Sequence, residues 1–247
     1  MMSSLTSHAT SVEAPERVES VTLRSVDGST EAEFVPEANM ICSSLRYLGK
    51  EYLHRGNGVS AYLREGKTMG IPLLHPWANR LNGFRYRVAC EEVHLPRGEH
   101  SVFLDDGGLP IHGAAPALMR WKVIGLSLTS LTARLRWASD DLLSLFPFPH
   151  ELTVDVTVES GALTIVTNLA PIGEKSVPVS FGYHPYLRIP EEERSGWRVT
   201  LAARERLLHD DALWRGARVC SAGRATSRRV PRLDLCAHLI GREAWPN

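Results

Sequence analysis

Between Leu152 and Asn168 the chain alternates with a period of two. Leu152, Val154, Val156 and Val158 are apolar, and Thr153, Asp155 and Thr157 between them are polar. Successive strand side chains point to opposite faces, so this pattern puts one set in a core and the other in solvent. Glu159-Ser160-Gly161 carries turn chemistry, and Leu163-Thr164-Ile165-Val166 resumes the run, which predicts an antiparallel hairpin. Leu131, Ala133, Leu135 and Trp137 alternate with Thr132, Arg134 and Arg136 in the same way. So do Phe84, Tyr86 and Val88 with Arg85 and Arg87. Val21, Leu23 and Ser25 share a face, and Ile41 to Leu53 reads as two strands broken at Gly49-Lys50. No long helical period occurs, and Ala114 to Met119 has room for one helical turn only. Gly56-Asn57-Gly58 reads as a turn rather than a dinucleotide loop, because no helical pattern follows it. Many short strands divided by Gly and Pro turns predict an all-β fold, a large antiparallel β-sandwich.

The sandwich is expected over residues 20–214. Residues 1–19 are rich in Ser, Thr, Ala and Glu and read as a mobile tail. A later strand begins at Trp197, Val199 and Leu201, but residues 215–247 are Arg- and Ser-rich without alternation and read as a divergent tail. A formal net charge of +0 gives no global field for nucleic acid or an anionic membrane. No apolar run has bilayer length, and the N-terminus lacks the basic start and apolar core of a secretory signal. Cys42, Cys90, Cys220 and Cys236 are scattered, which reads as reduced thiols in a cytoplasm rather than a disulfide frame or zinc site.

The stiffest stretch is Gly70-Ile71-Pro72-Leu73-Leu74-His75-Pro76-Trp77-Ala78-Asn79-Arg80-Leu81. Its prolines fix φ and remove donors, and it turns abruptly polar at Asn79 and Arg80. The Arg80 guanidinium is a planar fork of donors suited to carboxylates or several hydroxyls. Three histidines have unusual neighbours. His75 lies inside this stretch. His112 precedes Gly113, where a backbone or a ligand can come close, and His184 lies in Gly182-Tyr183-His184-Pro185-Tyr186. A lone histidine is more often a core or turn residue bonded to a carbonyl. Trp77, Tyr183 and Tyr186 offer flat faces for a sugar ring, whereas Phe146 and Phe148 in Phe146-Pro147-Phe148-Pro149 read as core. No His-Glu-x-x-His, Gly-Lys-Ser/Thr loop or Gly-x-Ser-x-Gly elbow is present, so no metal, cofactor or serine nucleophile is expected. The histidines are left for proton transfer.

In this order the pieces resemble the aldose 1-epimerase (galactose mutarotase) family. They are Gly70-Ile71-Pro72 through Pro76-Trp77-Ala78-Asn79-Arg80-Leu81, Leu109-Pro110-Ile111-His112-Gly113, Phe146-Pro147-Phe148-Pro149-His150 and Gly182-Tyr183-His184-Pro185-Tyr186. The resemblance runs from about Val21 to Ala212. It implies a supersandwich with a sugar site on its concave face and an isomerase that interconverts anomers of a free hexose through the open chain, with no cofactor. It implies His184 as the acid, His112 near the ring oxygen, and Asn79, Arg80 and Tyr183 as sugar-binding residues. The family's base is a glutamate near the C-terminus. Asp210, Asp211, Asp234 and Glu243 are present here, none in a matching context, as a truncated or frame-shifted end would leave them. Two alternatives follow: a non-catalytic sugar-binding sandwich that has lost its base, and a hexose-phosphate epimerase using Arg85 and Arg87. The oligomeric state is left open by the sequence.

Overall fold

A computed structural model of the chain describes residues 18–97, 101–199, 205–208, 218–221 and 228–229. The expected N-terminal tail apart from Val18 and Glu19, most of residues 215–247, and Asp210, Asp211, Asp234 and Glu243 lie outside the described residues.

Four strands open the chain: β1 (Val21–Arg24), β2 (Thr30–Val35), β3 (Ile41–Tyr47) and β4 (Lys50–Glu51). They form one antiparallel sheet in sequence order. The expected break at Gly49 stands between β3 and β4. Helix α1 (Val59–Glu65) then follows Gly58 directly and ends at Gly66 in the left-handed region. The sequence reading expected no helix here. Seven residues show little periodicity, and the buried set is three in a row, Ala61, Tyr62 and Leu63. Two hairpins come next, β6 (Arg85–Val88) with β7 (Glu91–His94) and β8 (Val102–Leu104) with β9 (Pro110–Ala114), preceded by the two-residue β5 (Leu73–Leu74). The single helical turn expected after Ala114 is a 3₁₀ turn at Pro116–Leu118.

The second large sheet holds β10 (Lys122–Leu126), β11 (Ser130–Trp137), β12 (His150–Glu159) and β13 (Ala162–Pro171), in that order. A short helix α2 (Asp140–Leu145) joins β11 to β12, with Ser139 Oγ accepting from Leu142 N and Asp140 and Asp141 in its first turn, as a helix N-terminus favours. The last strands are β14 (Gly182–Tyr183), β15 (Arg198–Val199), β16 (Glu205–Leu208), β17 (Arg218–Ser221) and β18 (Arg228–Arg229). β17 pairs with β16 and β18 with β15. The stretch read as lacking strands thus contributes two short ones, each paired with backbone upstream.

The alternation read from the sequence becomes the core. In β12 Leu152, Val154, Val156 and Val158 are buried, while Thr153, Asp155 and Thr157 are not. Leu131, Ala133 and Leu135 of β11 stand opposite Val156, Val154 and Leu152 and are buried on the same face. Leu23, Ala32 and Phe34 of the first sheet belong to this one cluster, so the two sheets share a core as a sandwich does. Full burial of one such side chain contributes about 1.5–3 kcal/mol, an upper bound because unfolded chains are partly collapsed. On the outer face Thr132 Oγ1 donates to Asp155 Oδ1 at 2.8 Å. One end of the sandwich is stapled where Gly161 N donates to Thr30 Oγ1 at 2.8 Å and Arg24 N to Leu128 O at 2.8 Å.

Candidate active site

Three segments distant in sequence are laced together by backbone at one place. Gly70 begins the central one, with φ 57° and no room for a side chain: a Cβ there would lie 2.1 Å from the Cys42 carbonyl oxygen. β5 pairs with β14, so the Gly-Tyr that precedes His184 lies against Leu73 and Leu74. His184 N donates to Pro72 O at 3.1 Å and Tyr186 N to Gly70 O at 2.7 Å. Proline lacks a donor but keeps its acceptor, which is how a Pro-stiffened segment can take a strand on one side. The His75-Pro76 peptide is cis, and Ala78 N then donates to Ser180 O at 2.8 Å.

The other side of the segment takes β9. His112 N donates to Asn79 O at 2.7 Å, Leu81 N to Pro110 O at 2.8 Å, and Ala114 N to His75 O at 2.9 Å. Asn79 and His112, joined by the first of these bonds, have φ of 62° and 68°. Non-glycine residues in that region cost on the order of 1–3 kcal/mol each and persist where surrounding structure dictates them. Gly113 resolves the choice between ligand and backbone as its close neighbour. Its φ is 84°, and an added Cβ would meet the His75 carbonyl oxygen at 2.1 Å, so backbone fills that space.

The side chains follow from this lacing. The His112 and His184 rings meet edge to face, with centroids 5.5 Å apart and planes at 75°. His184 is buried, and Tyr186 stacks on it at 4.6 Å and 17°. The Tyr186 hydroxyl is hydrogen-bonded to Thr68 Oγ1. Arg80 forms an ion pair through Nε with Asp105 Oδ2. Asp105 is itself fixed, because its Oδ1 accepts from Gly107 N and Leu109 N, each at 2.9 Å. Asn79 and Arg80 are half-buried beside them. Four of the expected site residues, Asn79, Arg80, His112 and His184, are therefore carried on directly bonded backbone. Tyr183 lies in β14 with its hydroxyl bonded to Thr167 Oγ1 at 2.6 Å, and burial pushes its pKa up to about 12. Of the two tyrosines in this motif, Tyr186 is the one stacked on His184.

Other candidates belong to the core. Trp77 is 6% exposed and packs against Tyr86 at 5.5 Å, so its face is not offered to a ligand. Phe146 and Phe148 are buried, as their proline-bounded setting suggests. His75 is buried, with its Nε2 against His150 Nε2. Asp105 is the residue that sequence reasoning missed. Its only signal was its place in an Asp-Asp-Gly-Gly loop, five residues ahead of Pro110 in the Pro110-Ile111-His112-Gly113 strand. Arg85 and Arg87 both reach Glu92 at 3.5 Å, so the two guanidiniums share one carboxylate on this strand face.

Two concavities flank these elements. One of about 60 Å³, lined by Leu73, Leu74, Ile111 and His112 among others, is far below the size of ordinary ligand pockets. One of about 400 Å³ is lined by Asn82 to Arg85, His94, Leu95 and Arg97, without Arg80, His112 or His184. We place the candidate site on the two histidines, where the chemistry is, rather than in the larger hollow. Among the described residues no group of three or more His, Cys, Asp or Glu is arranged to hold a metal ion.

Residues 43–232 match the model of the family described as Aldose 1-epimerase. An uncharacterised Escherichia coli K12 protein, YihR, is 30% identical over 130 residues, which is 49% of this chain and 39% of that protein. Among solved structures, Slr1438 from Synechocystis superposes with a TM-score of 0.61 at 22% identity, covering 77% of this chain and 61% of the other. Galactose 1-epimerase from Lactobacillus acidophilus superposes with a TM-score of 0.62 at 14% identity, covering 87% and 68%. At these identities the superpositions show a shared fold. The chain spans less than two thirds of the length of YihR and of Slr1438.

Proposed function

The chain belongs to the aldose 1-epimerase family, and we propose that it interconverts the α and β anomers of a free hexose by acid–base opening of the ring. The observation that carries this reading is the His112–His184 pair, edge to face at 5.5 Å and held on the same backbone as Asn79 and Arg80. Imidazole is the side chain whose charge changes near neutral pH, so two of them beside hydroxyl-binding donors suit proton movement on a sugar.

The reaction needs balanced proton movement at two ends of the hemiacetal. A base takes the proton of the anomeric hydroxyl, the C1–O5 bond breaks with its electron pair going to O5, and an acid protonates O5. Rotation about C1–C2 and reversal of the same steps give the other anomer. In this proposal His184 is the acid, fixed in orientation by the stacked Tyr186. His112 hydrogen-bonds the ring oxygen, and Asn79 and Arg80 bind hydroxyls. Tyr183 supports the strand under His184 through Thr167. Asp105 is engaged by Arg80 and two amides, so it does not serve as the base. That role goes to a carboxylate outside the described residues, with Glu243 the first to test. A free sugar as partner, a cytoplasmic setting and the absence of a cofactor complete the proposal. No helix among the described residues is long and apolar enough to cross a membrane.

Polarimetry of anomer interconversion tests it. His184→Ala is expected to slow the reaction by about 10²–10⁴-fold, the usual effect of removing a positioned acid. Glu243→Gln is expected to do the same if Glu243 is the base. Family-level activity surviving His184→Ala would sink the mechanism. Calorimetric sugar binding by a wild-type chain that shows no interconversion would replace the isomerase with a binding module. A preference for glucose 6-phosphate over glucose would redirect the substrate to a hexose phosphate.

A further inference from the structure

One buried polar contact has no part in the proposed chemistry. His75 and His150 are 2% and 0% exposed, and their Nε2 atoms stand 2.8 Å apart. Trp137 of β11 stacks on His150 at 5.4 Å and 16° and meets His75 edge-on at 4.9 Å. Phe146, ahead of β12, and Phe181, ahead of β14, close around His75 at 6.4 Å each. None of these facing rings titrates, and His150 is the only charge-bearing group that acts on His75 among the described residues.

The remaining contacts fix where the protons sit. His150 Nδ1 faces the Phe148 carbonyl oxygen at 2.6 Å. A carbonyl only accepts, so Nδ1 carries the proton. A neutral imidazole has one N–H, which leaves a lone pair on His150 Nε2. The proton in the 2.8 Å contact therefore comes from His75 Nε2. His75 Nδ1 keeps a lone pair, and it is buried without a hydrogen-bond partner among the described residues. The reverse arrangement would bury a bare N–H, which folded proteins avoid more strictly than a bare acceptor. Burial lowers the pKa of both rings, which keeps each neutral and the pair at one shared proton.

We propose that His75 and His150 form a one-proton latch that positions the segment bearing Asn79 and Arg80. His150 is the first residue of β12 and is paired with Trp137 on one side and Pro171 on the other, in strand pairs of unbroken register. His75 lies in the Pro-stiffened segment, and its carbonyl accepts from Ala114 N at 2.9 Å, two residues beyond His112. The latch thus ties the irregular segment to the rigid sheet at the point where it crosses β9. It fixes the crossing at which Asn79 O meets His112 N. Both histidines are positioning residues, acting through backbone and not on the sugar. The role in catalysis rests on the isomerase reading above, whereas the latch itself rests on core geometry alone.

Two measurements test it. With ¹⁵N-histidine in the full chain, ring nitrogen shifts should show opposite neutral tautomers, Nδ1–H in His150 and Nε2–H in His75, with neither ring titrating between pH 8 and 6. A shared tautomer, or a ring that titrates near 6.5, would overturn the latch. The second measurement compares His150→Phe with the double variant His75→Phe/His150→Phe. The single change strands the His75 N–H and should lower the melting temperature most. The double change removes both polar partners and should regain most of that loss. It should still displace the His112 and His184 ring resonances and lower kcat about tenfold, as a small misplacement of a reacting constellation does. Wild-type resonances and kcat in the double variant would reduce the pair to core filling. A wild-type chain with no anomer interconversion would sink the isomerase reading and leave the tautomer and resonance results to decide the latch.

Discussion

The sheet β10 to β13 and the crossing of residues 70–81 with 110–114 and 180–186 are built on opposite terms. Its strands β11, β12 and β13 are long and in continuous register, with β12 and β13 matched from His150–Pro171 to Glu159–Ala162. Every residue of its inner β12 face is apolar except His150 at its end. The crossing has two-residue strands and isolated bridges, among them His75–Gly113, Trp77–Ser180 and Arg80–Ile111. Asn79, His112 and Gly113 all adopt positive φ there. The sheet gains its stability from buried area, which tolerates small shifts. The crossing gains precision from hydrogen bonds and close approaches, which do not. Two strained non-glycine residues, Asn79 and His112, thus lie where two imidazoles and a guanidinium must be held, supported from the regular strands β11 to β13.

Perturbing each region separately tests the division. Leu152→Ala empties a fully buried site between β11 and β13 and is expected to cost about 2–5 kcal/mol in chemical denaturation. The folded fraction should keep its anomer-interconversion rate; a rate loss larger than the loss of folded protein would erase the distinction. Gly113→Ala acts on the other side. Its Cβ would meet the His75 carbonyl oxygen at 2.1 Å, at a φ of 84°. Strain and overpacking together predict about 2–4 kcal/mol of destabilisation. Here the His112 and His184 resonances should move as well, and unchanged resonances would show that the crossing does not set the site.

Acid separates the regions by charge. Both latch histidines have pKa values lowered from 6.5 by burial. The unfolded chain therefore binds more protons than the folded one below about pH 6.5. Their contribution is fully present above that value and is lost as pH falls toward the depressed folded values. The slope is at most about 1.4 kcal/mol per pH unit for each proton taken up. Urea melts between pH 7.5 and 5.5 should show this loss in the wild type and much less of it in the His75→Phe/His150→Phe variant. Equal pH slopes would assign the loss to other groups. The smallest effect is expected from Asp105→Asn, which keeps an acceptor for the loop amides but removes the charge beside Arg80. Because the pair is partly exposed, with side chains 24% and 10% accessible, a rise in KM of about fivefold is expected. A change in kcat with constant KM would move Asp105 from positioning Arg80 into the proton-transfer steps.

Alternation by itself determined β11 and β12, their buried faces and the hairpin at Glu159 to Gly161, because the pleat is a local steric property with a period of two. The order of the Pro-, Gly- and His-bearing segments was enough to point to the family. Short elements escaped it: α1 shows three buried residues in succession, and α2 is only six residues long. What tertiary structure alone decided was which polar atoms meet. Arg80 with Asp105, His75 with His150, and the Tyr186 hydroxyl with Thr68 depend on chain crossings between segments up to 118 residues apart. A side chain's partner is set by the placement of two backbones, and no periodicity within either segment encodes the distance between them.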